Sequence, residues 1–208
     1  MLFSDLFKRF VKTEPVAAVH PSPSALPDHL SRAREAALEF LAILRAGMVA
    51  SDGSLHAGTM LCAAAWLTGT SLYRSFRFRE DSAPGTIIKS NEVNATWEGL
   101  MHLLEQYNLH GANIPVGRLI LAGMAVPDFH QPQVELPYVQ NELQSKYNAV
   151  MKKHGFGYLD GARVGIMICS ILIQQYHTAG VIASEPAAGI IAERVLQAAK
   201  TVPPPLVH

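Results

Sequence analysis

The chain has 208 residues, of which 49% are hydrophobic and only 16% are charged, and its formal net charge is zero. This length allows one domain with a sizeable core. Charge well below the usual quarter indicates a large buried fraction, or a surface covered by another subunit. A neutral chain also lacks the concentrated basic stripe typical of nucleic-acid-binding proteins, so that class is disfavoured.

The first twelve residues, MLFSDLFKRFVK, form an amphipathic segment. Apolar side chains recur in it at three- and four-residue spacing, the period of one helix face. A helix this short is marginal alone in water, so we expect its apolar face to bind a second surface. That surface is a protein, another copy of this chain, or a membrane, because neighbouring basic residues make the segment resemble an interfacial helix. The predicted binding residues are Leu2, Phe3, Leu6, Phe7 and Phe10.

A Pro-rich linker at residues 13–27 follows, then a helical domain at residues 28–202 and a tail at residues 203–208. Helix start and stop signals predict an all-α, single-domain bundle of about six helices. The N-terminal apolar face is interrupted by charge, so no secretory signal is predicted. Cys62 and Cys169 lie in apolar helical stretches and are predicted to be buried free thiols. We therefore expect a cytoplasmic protein, peripheral to the membrane if residues 1–12 bind lipid.

The predicted helices follow one another with short connections. The one at residues 55–76 is rich in alanine and glycine, which let helix backbones approach closely, so we place it at the centre of the bundle. Ser54 is its predicted N-cap. No strand is predicted, although residues 85–89 come closest to one. The other helices are expected at residues 28–53, 91–108, 137–154, 161–178 and 184–201, with a short apolar helix at 116–125.

One helix carries three possible metal ligands, Glu98, His102 and Glu105, at spacings of four and three residues. At about 100° per residue they fall nearly opposite the apolar stripe of the same helix. This face is therefore expected to be solvated surface rather than a concave metal site. No metal or other cofactor is predicted.

Tyr73 begins the run YRSFRFR, in which aromatic side chains alternate with arginines. Such a run can grip an anionic surface, or its arginines can extend along the protein surface with their charged ends in water. If it binds, its partner is an anionic patch on a protein. The residues of this predicted patch are Arg74, Arg77 and Arg79.

Four further residues are candidates for a pocket between helices: His110, His130, Arg118 and Asp160. Asp160 is also the predicted N-cap of the helix at 161–178. Arg118 interrupts an apolar helix and is expected to pair with a carboxylate, Glu98 or Glu142. Phosphate-binding glycine loops and a Gly-x-Ser-x-Gly nucleophile motif are absent from the sequence.

These patterns favour a non-catalytic protein-binding module, such as an adaptor, scaffold, regulator or inhibitor. It is expected to dock through residues 1–12 and through its small-residue helices, to a partner protein or to itself. The alternative is an enzyme, or a domain that binds a small molecule or a metal in a pocket between helices.

Overall fold

The structure is a computed structural model that describes residues 25–49, 53–76, 78, 82–109, 114–126 and 139–206. Within these ranges the chain is one all-helical domain, which confirms the predicted fold class. It forms seven α-helices and one π-helical turn. These are α1 (Ala25–Met48), α2 (Ala57–Ser75), α3 (Asn91–Asn108), α4 (Val116–Met124), the π-helical turn Val139–Leu143, α5 (Gln144–Lys153), α6 (Tyr158–Thr178) and α7 (Ser184–Ala199).

Helix α2 lies at the centre of the bundle, as its small residues predict. Every residue from 57 to 72 is buried, and α6 and α7 make its most extensive contacts. Gly69 faces the backbone oxygen of Val195 on α7, where a Cβ atom would clash. The small residues of α2 are therefore used for internal packing and are not free to dock a partner.

The bundle has two ends. Ser71, near the end of α2, donates a hydrogen bond to the carbonyl of Tyr158 at the start of α6, at 3.0 Å. Helix α6 then runs 21 residues, about 30 Å, away from that point. A short turn returns the chain into α7. We call the end with the start of α6 the near end, and the end with the start of α7 the far end.

Helices α1 and α5 cover one side of α6. The ring of His29, near the start of α1, packs edge-on against Phe156 at the near end, with centroids 5.2 Å apart. Farther along α1, the Glu39 carboxylate meets the Nζ of Lys153 and the Nε2 of His154, each at 2.9 Å. These contacts attach α1 to the end of α5.

Helices α3 and α4 contact α7. The indole Nε1 of Trp97 on α3 donates to the carbonyl of Ala192 at 3.0 Å. Helix α4 crosses α7 where Gly123 meets Gly189. A Cβ atom on Gly189 would clash with the backbone of Leu119, so only glycine permits this approach.

Several helix ends lie at or next to the predicted bounds. Ser90 is the N-cap of α3, and its Oγ accepts the backbone N–H of Val93 at 3.2 Å. Gly155 and Gly180, with positive φ angles of 76° and 69°, follow the ends of α5 and α6. Left-handed backbone of this kind is where glycine commonly ends a helix.

Other helix ends differ. The Nδ1 of His56, rather than Ser54, accepts from the backbone of Thr59 and caps α2. Helix α6 begins at Tyr158, so Asp160 lies inside its first turn instead of capping it. Asp160 lies three residues after the N-cap position, and its carboxylate pairs instead with Arg163 at 3.0 Å. At residues 85–89, one isolated antiparallel bridge joins Ile87 to Thr201, the only strand-like pairing described.

Both cysteines are buried and neither forms a disulfide, as predicted. Cys169 lies 3.9 Å from the Oγ1 of Thr68, and burial raises the pKa of its thiol to about 12. In the described part of the chain, no single helix is long and apolar enough to cross a membrane. Two helical segments, Val139–Lys153 and Tyr158–Thr178, are bent by 108° at the short break between them. Taken together, this pair has the length and composition that could cross a membrane.

Candidate docking site

The structure does not test the predicted N-terminal binding residues, since Leu2, Phe3, Leu6, Phe7 and Phe10 lie outside the described residues. The same holds for Arg77, Arg79, His110 and His130. Six other singled-out residues can be located: Arg74, Glu98, His102, Glu105, Arg118 and Asp160.

The three possible metal ligands on α3 do not share one solvated face. Glu98 and His102 are exposed, but Glu105 is only 6% exposed. Its carboxylate accepts the backbone N–H of Ile114, just before α4. The expectation that Glu105 faces solvent was wrong, because a helical wheel cannot show that the chain returns over that face. No group of three His, Cys, Asp or Glu side chains suited to a metal occurs among the described residues.

The pocket candidates Arg118 and Asp160 lie apart. Arg118 is 74% exposed and its Nε is 3.8 Å from Glu185, at the far end. The expected pairing with Glu98 or Glu142 was therefore wrong, because α4 lies across the start of α7. Asp160 lies at the near end, about 30 Å away along α6. The described residues thus do not bring these two together.

Helix α4 has apolar residues on two sides. Leu119 and Gly123 pack inward against α7, whereas Leu121 and Met124 are 67% and 59% exposed. Gly117 is also exposed and precedes Leu121 by four residues, and Leu121 precedes Met124 by three. The three residues therefore lie along one outward side of the helix. We call Gly117, Leu121 and Met124 the outer face of α4.

A second feature is a cleft at the near end, between α2, the π-helical turn, the start of α5 and the C-terminal tail. Its enclosed volume is only about 10 Å³, room for about one water molecule. Residues 203–206 form one wall. The helical walls carry hydroxyl, amide and guanidinium groups, from Thr70, Arg74, Gln140, Asn141, Gln144 and Ser145.

Arg74, from the predicted anionic-partner patch, lines this cleft and does not extend freely into solvent. Its Nη2 donates to the carbonyl of Pro204 at 2.7 Å, which holds the tail against α2. Burial lowers the pKa of its guanidinium. A role for the arginine run in binding an anionic partner stays a prediction.

Two features of these sites were not singled out from the sequence. The sequence did carry a signal for Leu121 and Met124, since the helix at 116–125 is apolar apart from Arg118, while a peripheral helix buries only one stripe. No sequence pattern indicated Gln144, because a single glutamine is usually an exposed residue.

No protein-family model matches this chain, and neither curated proteins nor solved structures give a significant match to it.

Proposed function

We propose that this protein is a helical protein-binding module of the adaptor, scaffold or regulator class, and that the outer face of α4 is its docking surface. The observation that carries the proposal is the exposure of Leu121 and Met124 on a helix whose other face is packed. Contiguous exposed apolar side chains commonly mark a binding surface. Removing them from water releases about 25 cal/mol for each Å² buried.

The occupant is an amphipathic helix lying across this face, a common mode of recognition. Residues 1–12 of this chain have that chemistry, with phenylalanines at positions 3, 7 and 10. Residues 13–24, extended at about 3.1 Å per residue, reach about 37 Å. Helix α1 begins at the near end and α4 lies towards the far end, about 30 Å away along the bundle. The linker is thus of the right length for docking on the same copy or on a neighbouring one.

Hydrogen exchange of the full-length chain tests this proposal. We expect that replacing Phe3, Phe7 and Phe10 by serine accelerates exchange at residues 116–124 and leaves α2 unchanged. A second variant, Leu121→Ser with Met124→Ser, is expected to release residues 1–12 in the same way. Ile87→Ser is the matched control, since Ile87 is 76% exposed and lies in the loop before α3.

Native mass spectrometry of the same variants separates the two occupants. Loss of an oligomer indicates docking between copies, whereas an unchanged mass indicates docking within one copy. Unaltered exchange at residues 116–124 in both variants would falsify the proposal. If residues 1–12 instead bind lipid, the wild-type chain floats with anionic liposomes and the phenylalanine variant does not.

A further inference from the structure

The near-end cleft contains two buried polar atoms without a partner. Gln144 is only 2% exposed, and its Nε2 donates to the Oδ1 of Asn148 at 3.0 Å. Its Oε1 accepts no hydrogen bond. The Nε of Arg74 is likewise buried and donates to nothing. A buried polar atom without a partner costs free energy, so both atoms favour a ligand that supplies one acceptor and one donor.

The prolines of the C-terminal tail cannot supply both the acceptor that Arg74 lacks and the donor that Gln144 lacks. Residues 203–205 are all proline, which offers carbonyl acceptors but no backbone N–H. Pro204 accordingly accepts from the Nη2 of Arg74, and no proline of the tail can donate to Gln144. Among the described residues, no carboxylate lies within ion-pair distance of Arg74, although its guanidinium is partly desolvated. The missing ligand groups are therefore an N–H and an anionic acceptor.

We propose that this cleft binds the carboxyl-terminal end of a peptide, whose carboxylate pairs with Arg74 and whose last amide N–H donates to the Oε1 of Gln144. A peptide terminus carries these two groups on one Cα atom, and it fits only when residues 203–206 leave the cleft, because the enclosed volume of about 10 Å³ holds one water molecule. Hydroxyl and amide side chains on its helical walls can hold the remaining peptide groups. Both unpartnered atoms are shielded from solvent, so residues 203–206 move aside when the ligand enters. This site is separate from the outer face of α4 and does not depend on it.

Three small probes test the proposal on the full-length protein. N-acetylglycine carries both the carboxylate and the N–H. N-acetylsarcosine lacks the N–H, and N-acetylglycinamide lacks the carboxylate. In saturation-transfer NMR we expect N-acetylglycine to bind with a Kd of roughly millimolar size, and each of the other probes to bind about tenfold more weakly, the effect of one lost hydrogen bond.

Two variants connect the binding to these side chains. Arg74→Lys and Gln144→Leu are each expected to weaken N-acetylglycine binding about tenfold. Arg163→Lys is the control, since Arg163 pairs with Asp160 outside the cleft. If a variant melts below the working temperature, the three-probe comparison on the wild-type chain decides. Equal binding of the three probes, or no binding at all because a bridging water alone satisfies both atoms, would overturn the proposal.

Discussion

Helices α2 and α4 reverse the usual relation between polarity and burial. Helix α2 buries four hydroxyl side chains, those of Thr59, Thr68, Thr70 and Ser71, whereas α4 exposes Leu121 and Met124. Position in the bundle explains the difference. Helix α2 is enclosed on every side, and at least two of its hydroxyls find carbonyl acceptors. Helix α4 touches the bundle along one side only. Apolar content by itself therefore does not decide which helix is central.

The largest expected difference between the two helices comes from removing one leucine from each. Leu67→Ala in α2 leaves a cavity in the core and should lower the free energy of unfolding by about 3 kcal/mol. Leu121→Ala in α4 should lower it by about 0.5 kcal/mol or less, because its side chain is exposed. Urea denaturation measures both. A cost at Leu121 as large as that at Leu67 means that the outer face of α4 is covered within the folded chain.

The contact of α4 with α7 can be broken at its closest point. Gly189→Ala places a Cβ against the backbone of Leu119, and we expect a loss of about 2 kcal/mol from overpacking. Gly99→Ala is the control, since nothing lies within 4 Å of a Cβ there. That helical substitution should instead gain about 0.5–1 kcal/mol. If both substitutions stabilise the protein in thermal denaturation, α4 does not cross α7 as closely as described.

The connection before α4 depends on a carboxylate of α3. Glu105→Ala removes the acceptor of the Ile114 N–H, and we expect a loss of about 1 kcal/mol, with faster hydrogen exchange in α4 than in α2. Glu98→Ala on the same helix is the matched exposed control and should change neither quantity. Equal exchange rates in α4 for the two variants would contradict the role of Glu105.

The smallest expected effect concerns α1, a peripheral helix that packs an apolar stripe into the core and forms ion pairs at its surface. Hydrogen bonds from His154 and then Lys153 hold the pKa of Glu39 below its usual 4.5. A lowered folded-state pKa contributes stability above the unfolded value, and that stability is lost as the pH falls through the folded-state pKa. We therefore expect Glu39→Gln to reduce the melting temperature near neutral pH slightly and to have less effect below about pH 4. A constant difference across this range would show that the ion pairs add no stability.

Local sequence patterns were sufficient for most elements. Apolar spacing identified α3, and a long apolar run identified α6. The Ser90 cap and the glycines after α5 and α6, at residues 155 and 180, depend only on neighbouring residues. The errors at Ser54 and Asp160 are shifts of two and three residues in a helix start, since His56 and Gly157 hold the N-cap positions. The shift at Asp160 was decided by packing, because α6 begins where Tyr158 meets Ser71 on α2.

The candidate sites were less predictable than the helices. Glu105 was placed on a solvated face because its burial comes from Ile114, nine residues later, and not from its own helix. The pairing of Arg118 with Glu185 joins positions 67 residues apart. The cleft forms only where α2, the π-helical turn, α5 and the tail come together. No local sequence pattern therefore predicted the unpartnered oxygen of Gln144.

The sequence by itself determined that this chain is all-helical, that its alanine- and glycine-rich helix is central, and that both cysteines are buried. These properties follow from side-chain size, periodicity and turn chemistry, which act over a few residues. Only the tertiary structure decided which face of α4 remains exposed and which polar atoms lack partners. Burial and hydrogen bonding at those places are set by residues distant in sequence, which come together only when the helices pack.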